Sequence, residues 1–195
     1  MKKSFLAAGA ALVFGLLAFQ ILNAKPGRSM TAEDVIKKMK LEPMVAGDCG
    51  GYFREIFRSE REAKQDTPRK CCSIIYHLII KDYKVPFHKI TSDEIFTYLA
   101  GDPQLMALIH PDGTWEEVTL GNNLSKGETP VKIVPAGVWM TEVIRNPKAD
   151  SWSLLTVTVA PGFDLNDYSH STPADIIKNF PKAEKRIKEL GLDKE

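Results

Sequence analysis

The chain has 195 residues, of which 44% are hydrophobic and 26% are charged, and its formal net charge is +1. These values are typical of a protein that buries one hydrophobic core and has room for a short additional segment. Lysines and acidic residues are interspersed and form no basic stripe. The pattern therefore excludes nucleic acid as the expected class of partner.

The first 24 residues differ in composition from the rest of the chain. Lys2 and Lys3 precede an apolar run, residues 4–22, and Ala24 follows it. This order predicts a secretory signal peptide that is cleaved after Ala24, and hence a secreted, lumenal or periplasmic protein. The run is also close to the roughly 20 residues that span a bilayer, so an uncleaved N-terminal membrane anchor is the alternative. We expect membrane contact only through this segment.

Three cysteines, Cys49, Cys71 and Cys72, bear on the redox state of the protein. In an oxidising compartment Cys49 could pair with either of the other two, which would leave one free thiol. The sequence has no Cys-x-x-Cys and no histidine at zinc-finger spacing, so a structural zinc site is not predicted.

Residues 25–30 are predicted to be a linker, and residues 31–190 a single domain with helical ends. Thr31 is followed by two acidic residues, a pattern that predicts the capped start of a short helix ending near Pro43. Thr172 and the proline after it predict the start of a C-terminal helical segment.

Eight apolar segments lie between the helical ends, separated by turn residues: YFREIF, SIIYHLII, EIFTYLA, LMALIH, WEEVTLG, VKIVPAG, VWMTEVI and SWSLLTVTVA. Their length and spacing predict β-strands, and Gly113 supplies the positive φ for a hairpin turn between two of them. Because no long helix alternates with the strands, we expect an all-β antiparallel barrel or two-sheet sandwich and not a parallel α/β sheet.

The segment GGYFRE carries the first candidate site residues. Strand alternation places Tyr52 and Arg54 on one face and Phe53 and Glu55 on the other. An inward-facing Arg54 would clamp an anionic ligand with its planar guanidinium, whereas an outward-facing one would form a salt bridge at the barrel rim. The sequence alone leaves both alternatives open.

His88 and Glu94 flank a turn, residues 89–93, so their side chains can face one pocket. They supply only two metal ligands, and a catalytic metal site usually has at least three. A part-buried histidine with no functional role is the alternative for His88. Trp139, which follows a Pro-Ala-Gly turn, is either a core residue or a flat wall against which a ligand stacks. No nucleophile elbow, P-loop or dinucleotide fingerprint occurs.

The order of these motifs resembles the cupin superfamily, and within it a family of largely uncharacterised single-domain cupins. The resemblance rests on GGYFREIFRS, SIIYHLI, FHKITSDEIFTYLAGDP, LIHPDG, VTLGNNLSKGETPVKIVPAGVW and TVAPGFDLNDY, which extend from about Thr31 to Pro181. It implies an antiparallel jelly-roll β-barrel with short N- and C-terminal helices, a pocket inside the barrel and assembly as a homodimer.

The same resemblance locates the two cupin site motifs. His88 and Glu94 match polar positions of the first motif, and Pro135 and Gly137 match the turn of the second. Met140 stands where the second motif has its metal-binding histidine. Phe96 and Thr97 stand where this family often has Trp-His, and residues 45–49 form an insertion. The resemblance therefore implies a cupin without a bound metal, with His88 and Glu94 as the remaining candidate ligands for a divalent ion.

Two functions are hypotheses at this point. The first is a binding module that holds a small organic or sugar-like ligand without a cofactor. The second is a metal-independent sugar isomerase or epimerase, in which His88 is the general base and Tyr98 or Tyr52 the acid. A metal-dependent dioxygenase would need more ligands than the sequence offers. The residues expected to line the pocket are Tyr52, Arg54, His88, Glu94 and Trp139.

Overall fold

The structure, a computed structural model, describes residues 30–44, 51–64, 68–81 and 83–193. From Thr31 onward the chain forms one compact unit. The predicted signal or anchor segment and Cys49 of the predicted disulfide lie outside the described residues, so both remain predictions. Within the described part of the chain, no helix is both long enough and apolar enough to cross a membrane.

The described residues contain thirteen β-strands, most of them in the central part of the chain. Their bounds are β1 (Glu42–Pro43), β2 (Tyr52–Arg58), β3 (Glu62–Ala63), β4 (Arg69–Lys70), β5 (Ser73–Ile80), β6 (Lys84–Lys89), β7 (Asp93–Gly101), β8 (Gln104–Ile109), β9 (Trp115–Leu120), β10 (Val131–Val134), β11 (Trp139–Ile144), β12 (Trp152–Ala160) and β13 (Ser169–Ser171).

Helices occur mainly at the two ends of the compact unit. They are α1 (Ala32–Met39), α2 (Pro173–Asn179) and α3 (Glu184–Glu189), with short 3-10 turns at Leu124–Lys126, Leu165–Asp167 and Pro181–Ala183. Thr31 caps α1 through a capping box, in which its hydroxyl accepts the Asp34 N–H and the Asp34 carboxylate accepts the Thr31 N–H. The predicted caps at Thr31 and Thr172 are both confirmed.

The strands form two main antiparallel sheets. The larger has the order β1-β2-β5-β12-β7-β10 and the smaller the order β13-β6-β11-β8-β9, while β3 and β4 pair as a separate small ribbon. β11 follows β10 in the chain but pairs with β6 and β8 in the other sheet, so the chain crosses repeatedly between layers. This arrangement confirms the predicted all-β jelly roll with short terminal helices.

The main hydrophobic core lies between the two sheets. It is built from alternate inward positions, because successive residues of a strand point to opposite faces. The six-stranded sheet supplies Phe96, Val134, Leu155, Val157 and Val159, and the five-stranded sheet supplies Met106, Leu108, Leu120 and Met140.

The outer faces of both sheets are also partly covered. Val35 of α1 packs with Leu78 and Leu154 on the outside of the six-stranded sheet. Ile176 and Ile187 of the C-terminal helices pack in the same way on the five-stranded sheet. These strands are therefore apolar on both faces, and the simple alternation of a half-exposed sheet is lost.

Candidate functional site

A cavity of about 280 Å³ lies between the two sheets, near the low end of the range for small-molecule sites. Its walls come from both sheets and from the loop that leaves β12, and most of the lining is aliphatic or aromatic. The lining residues that the structure describes are Met44, Phe53, Glu55, Arg58, Ser73, Ile75, His77, Val85, His88, Ile90, Glu94, Phe96, Glu142, Val157, Val159, Phe163, Leu165 and Tyr168.

Two carboxyl groups from opposite sheets face this cavity. Glu94 is the second residue of β7 and is 7% exposed, and Glu142 in β11 is 1% exposed. Burial raises the pKa of Glu142 to about 8. Burial, and then the charge of Glu142, raise the pKa of Glu94 well above its ordinary value. Burial therefore favours the neutral form of both carboxyls, and Glu142 is largely protonated at pH 7.

Glu142 has two polar neighbours in the interior. Its carboxyl accepts a hydrogen bond from Gln104 Nε2, which opposes part of the rise in the Glu142 pKa. His77 Nδ1 lies 3.8 Å from Glu142 Oε2, and the His77 ring is almost completely buried. Glu94, in contrast, forms no side-chain hydrogen bond with the residues that the structure describes, although it lies against the cavity.

His88 lies in β6 and its ring faces the same cavity. His88 Nδ1 is 2.9 Å from the Pro86 carbonyl, and a carbonyl only accepts, so Nδ1 carries the proton. Burial lowers the pKa of His88, an effect that outweighs the hydrogen bond to Pro86. The neutral ring thus has its lone pair on Nε2, and it stacks on the Tyr168 ring with centroids 5.5 Å apart.

Two arginines hold the loop of residues 161–168 against the barrel. Arg58 Nη1 donates a hydrogen bond of 3.0 Å to the Phe163 carbonyl. Arg69, from the small β3–β4 ribbon, forms a part-buried ion pair with Asp167. This loop contributes three of the lining residues, so the two arginines fix one wall of the cavity.

The structure brings together two of the predicted site residues and separates the others. His88 and Glu94 both line the cavity. Tyr52 packs in the outer cluster under α1, and Arg54 lies with its guanidinium 5.5 Å from the Tyr76 ring centroid, also on the outer face. The alternation of this strand was predicted correctly, but the inward face carries Phe53 and Glu55.

Trp139 is likewise outside the cavity. Its ring packs against the cluster under the C-terminal helices, and Lys89 Nζ lies 4.8 Å from the ring centroid on that side. The core interpretation of Trp139 matches this position. Tyr52, Arg54 and Trp139 were predicted to line the pocket, and the structure places them outside it. Both faces of their strands are covered by other elements, so the apolar pattern did not show which face is inward.

The tyrosines proposed as acids for an epimerase are also elsewhere. Tyr98 donates a 2.5 Å hydrogen bond to the Gly101 carbonyl and is not among the lining residues. Tyr52 lies on the outer face, as described above. Tyr168 is the tyrosine that lies beside His88 in the cavity wall.

A metal ion does not fit the donor groups at this site. Met140 is fully buried and pairs in register with His88, so a thioether stands beside the imidazole where a third ligand would be needed. Across the residues that the structure describes, no group of three or more His, Cys, Asp or Glu side chains could hold a metal.

Several polar groups at the cavity were not predicted from the sequence. The lining contains Glu55, Arg58, His77, Glu142 and Tyr168, and Gln104 lies behind it as the donor to Glu142. A usable signal was present for His77 and Glu142, because each is a titratable residue inside an apolar strand. Such a residue is rarely buried without a partner. No sequence signal was available for Tyr168, since its position depends on the course of the loop after β12.

Cys71 and Cys72, the two predicted partners of Cys49, do not form a disulfide with each other. Cys71 is exposed and Cys72 is half-buried. Whether Cys49 pairs with one of them remains a prediction, because Cys49 lies outside the described residues.

Two antiparallel sheets that enclose a cavity, with short helices on their outer faces, define a jelly-roll barrel of the cupin type. The family model described as Cupin superfamily (DUF985) matches residues 33–171, and the chain belongs to this family.

Three relatives agree with this assignment. Uncharacterized protein YML079W of Saccharomyces cerevisiae is 29% identical over 150 residues, which are 70% of this chain and 74% of the yeast protein. The solved structure of a hypothetical protein from Leishmania major has a TM-score of 0.74 at 29% identity, over 83% of this chain and 98% of that chain. Protein SO0799 from Shewanella oneidensis has a TM-score of 0.72 at 30% identity, over 83% and 97%. The names of these three relatives state no activity.

Proposed function

We propose that this cupin is a binding module, secreted or tethered to a membrane, that holds a small organic or sugar-like molecule in the cavity between its sheets. The observation that carries the proposal is the pair of carboxyl side chains, Glu94 and Glu142, that line the cavity from opposite sheets and are 7% and 1% exposed. Burial takes these groups out of bulk water, and a ligand with complementary polar groups would supply hydrogen bonds to them.

The shape and chemistry of the lining support the same proposal. Aromatic and aliphatic walls bury the apolar surface of a small molecule, and a few convergent polar groups fix its orientation. His88 offers an acceptor at Nε2, while the protonated Glu142 carboxyl offers a donor. The proposed binding uses no cofactor.

The test is a thermal-shift screen of the purified protein with sugars, nucleotide sugars, small acids and small amines. A true ligand at about 100 times its Kd stabilises the folded state by about 2.7 kcal/mol. For a chain of this length we expect a rise in Tm of about 5 to 10 °C. The variant Val157→Phe, which fills the cavity from its wall, should lose this shift, and the exposed Glu60→Gln control should retain it.

A ligand that stabilises both Val157→Phe and the wild type equally binds elsewhere, and that result contradicts the proposal. So does a panel in which no compound raises the Tm. The apo Tm of each variant is measured first, so that the overpacking cost of Val157→Phe is separated from the loss of binding.

The second candidate is a metal-independent isomerase or epimerase acting at the same cavity. The specific observation in its favour is the neutral His88 ring stacked on Tyr168, since both residues face the cavity and could exchange protons with a bound sugar. The panel is therefore also assayed for turnover with wild type and His88→Ala. Binding without turnover eliminates this candidate.

The localisation and assembly are further parts of the proposal. The charged start and apolar run at the N-terminus support secretion or anchoring. Homodimer formation is supported by the resemblance and by exposed apolar side chains on the outer face of the six-stranded sheet, where Phe57, Val131 and Ile133 are exposed. N-terminal sequencing of the expressed protein and its sedimentation behaviour address these two points.

A further inference from the structure

The described lining of the cavity contains more acidic than permanently basic side chains, a feature that the proposed function does not explain. Titratable side chains face it from both sheets and from the loop after β12. They are Glu55, Arg58, His77, His88, Glu94, Glu142 and Tyr168. Among the described lining residues only Arg58 carries a permanent positive charge. Whether that charge is available to the acidic groups of the cavity depends on the groups that Arg58 contacts.

Arg58 is paired with groups at the partly exposed rim of the cavity. Its Nε and Nη2 donate to the Glu55 carboxylate, at 3.1 and 2.6 Å, and its Nη1 donates to the Phe163 carbonyl. The guanidinium is therefore neutralised at the rim by Glu55. Among the described residues, Arg58 forms no hydrogen bond with the deeper carboxyls of Glu94 and Glu142.

The two deeper carboxyls are not matched in this way. A protonated His77 would balance Glu142, which lies 3.8 Å away, but Glu94 would still have no cation. The other imidazole, His88, has its Nδ1 proton committed to Pro86. The cavity thus has at least one more acidic group than it has cationic partners.

The remaining surface is aromatic and offers few neutral hydrogen-bonding groups. Rings come from Phe53, Phe96, Phe163 and Tyr168. The Ser73 hydroxyl already accepts the Phe163 N–H at 3.0 Å, and the described lining contains no Asn, Gln or Thr. A polyhydroxylated ligand would lose its bonds to water and gain few in return. A cation with apolar substituents meets both the unmatched carboxyl and the faces of the rings.

We propose that the ligand is a small organic cation, an amine or quaternary ammonium ion, whose charge lies against the Glu94 carboxylate and whose apolar substituents contact the aromatic walls. This inference rests on the proposed function and names the chemical class of its ligand. Burial disfavours the ionised form of the Glu94 carboxyl and an adjacent cation favours it, so binding is expected to release a proton.

The test uses pairs of probes that have nearly the same shape and differ in charge. Choline is compared with 3,3-dimethylbutan-1-ol, and n-butylammonium with butan-1-ol, by calorimetry on the full chain at pH 7. We expect each cation to bind about 10- to 100-fold more tightly than its neutral counterpart, since a hydrogen bond or ion pair with a charged group contributes about 1.5 to 3 kcal/mol.

Two variants locate the effect. Glu94→Gln keeps the shape of the side chain, but its amide cannot ionise. The variant should therefore weaken binding of the cations about 10- to 100-fold and leave binding of the neutral alcohols unchanged. Phe163→Leu, on the loop after β12, should weaken binding of the quaternary ammonium more than binding of its alcohol. It keeps the proposal testable even if Glu94→Gln does not fold. The exposed Glu60→Gln control should bind like wild type.

Four results would overturn the inference. Equal binding of the charged and neutral members of each pair would show that charge is not recognised. Binding of neutral sugars but not of amines would leave the proposed function intact and refute only the cationic ligand. Stoichiometric binding of Mn²⁺ or Zn²⁺ that a Glu94→Gln substitution abolishes would assign the carboxyl to a metal instead. If no probe of any class binds, the proposed function fails as well.

Discussion

Replacing Glu142 with glutamine is expected to stabilise the protein at pH 7 to 8 and to change its stability little near pH 4.5. Burial raises the pKa of Glu142 from its ordinary value of 4.5 to about 8 in the folded state. Between these two values the unfolded chain loses the proton while the folded chain keeps it. The free energy of unfolding therefore falls as the pH rises through this window.

The size of the effect follows from the shift in pKa. At about 1.4 kcal/mol per pKa unit, this group lowers the free energy of unfolding of the wild type by on the order of 4 kcal/mol between pH 4.5 and pH 8. Glutamine has no proton to keep, and its amide can pair with Gln104, whose Oε1 has no hydrogen-bond partner in the described structure. Urea unfolding of both proteins at pH 4.5, 6, 7 and 8 measures the difference, with Glu60→Gln as the exposed control.

A Glu142→Gln variant that is less stable than wild type, most of all at the lower pH values of the series, would contradict this prediction. That result would mean that Glu142 is ionised in the folded state and paired with a protonated His77, 3.8 Å away. The removal of one member of a buried ion pair is strongly destabilising, by about 3 to 5 kcal/mol. The sign of the change therefore distinguishes a buried carboxylic acid from a buried ion pair.

The features that the sequence predicted well depend on local chemistry. Thr31 with Asp34 forms a capping box because the two groups satisfy each other's hydrogen bonds within one turn. Gly113 has φ 84°, as the hairpin between β8 and β9 requires. The jelly-roll topology was inferred from the resemblance, since pairings such as Met140 with His88 join residues far apart in the chain.

The content of the cavity could be predicted only in part, and the reason is physical. His88 and Glu94 were identified because they flank a turn and are polar in an apolar context. Arg54 was assigned to the inner face because alternation gives two faces without saying which is inside. The outer face of β2 is covered by α1, so Tyr52 is shielded there as a core residue would be. Tertiary packing, which no strand pattern contains, decides between the two faces.

Gly101→Ala is expected to be the most destabilising single methyl addition among the glycines of the described barrel. Gly101 ends β7 with φ 99°, a conformation that costs an L-residue about 1 to 2 kcal/mol. A Cβ here would also overlap the Trp152 carbonyl and lie 2.7 Å from Cε3 of the Trp152 ring. That carbonyl is fixed by the Asp102 N–H at 2.7 Å, so it cannot move without breaking the turn after β7.

The control for Gly101→Ala is Gly127→Ala, because it separates backbone strain from steric overlap. Gly127 has φ 77°, and a Cβ there would meet nothing within 4 Å. We expect a loss of about 1 to 2 kcal/mol for Gly127→Ala, from strain alone, and about 3 to 5 kcal/mol for Gly101→Ala, where overpacking adds to it. If urea unfolding gives the same loss of unfolding free energy for both variants, the strand that carries Trp152 moves away from the added methyl group without an energetic penalty. In that case the end of β7 would not be a rigid part of the sheet that carries Glu94.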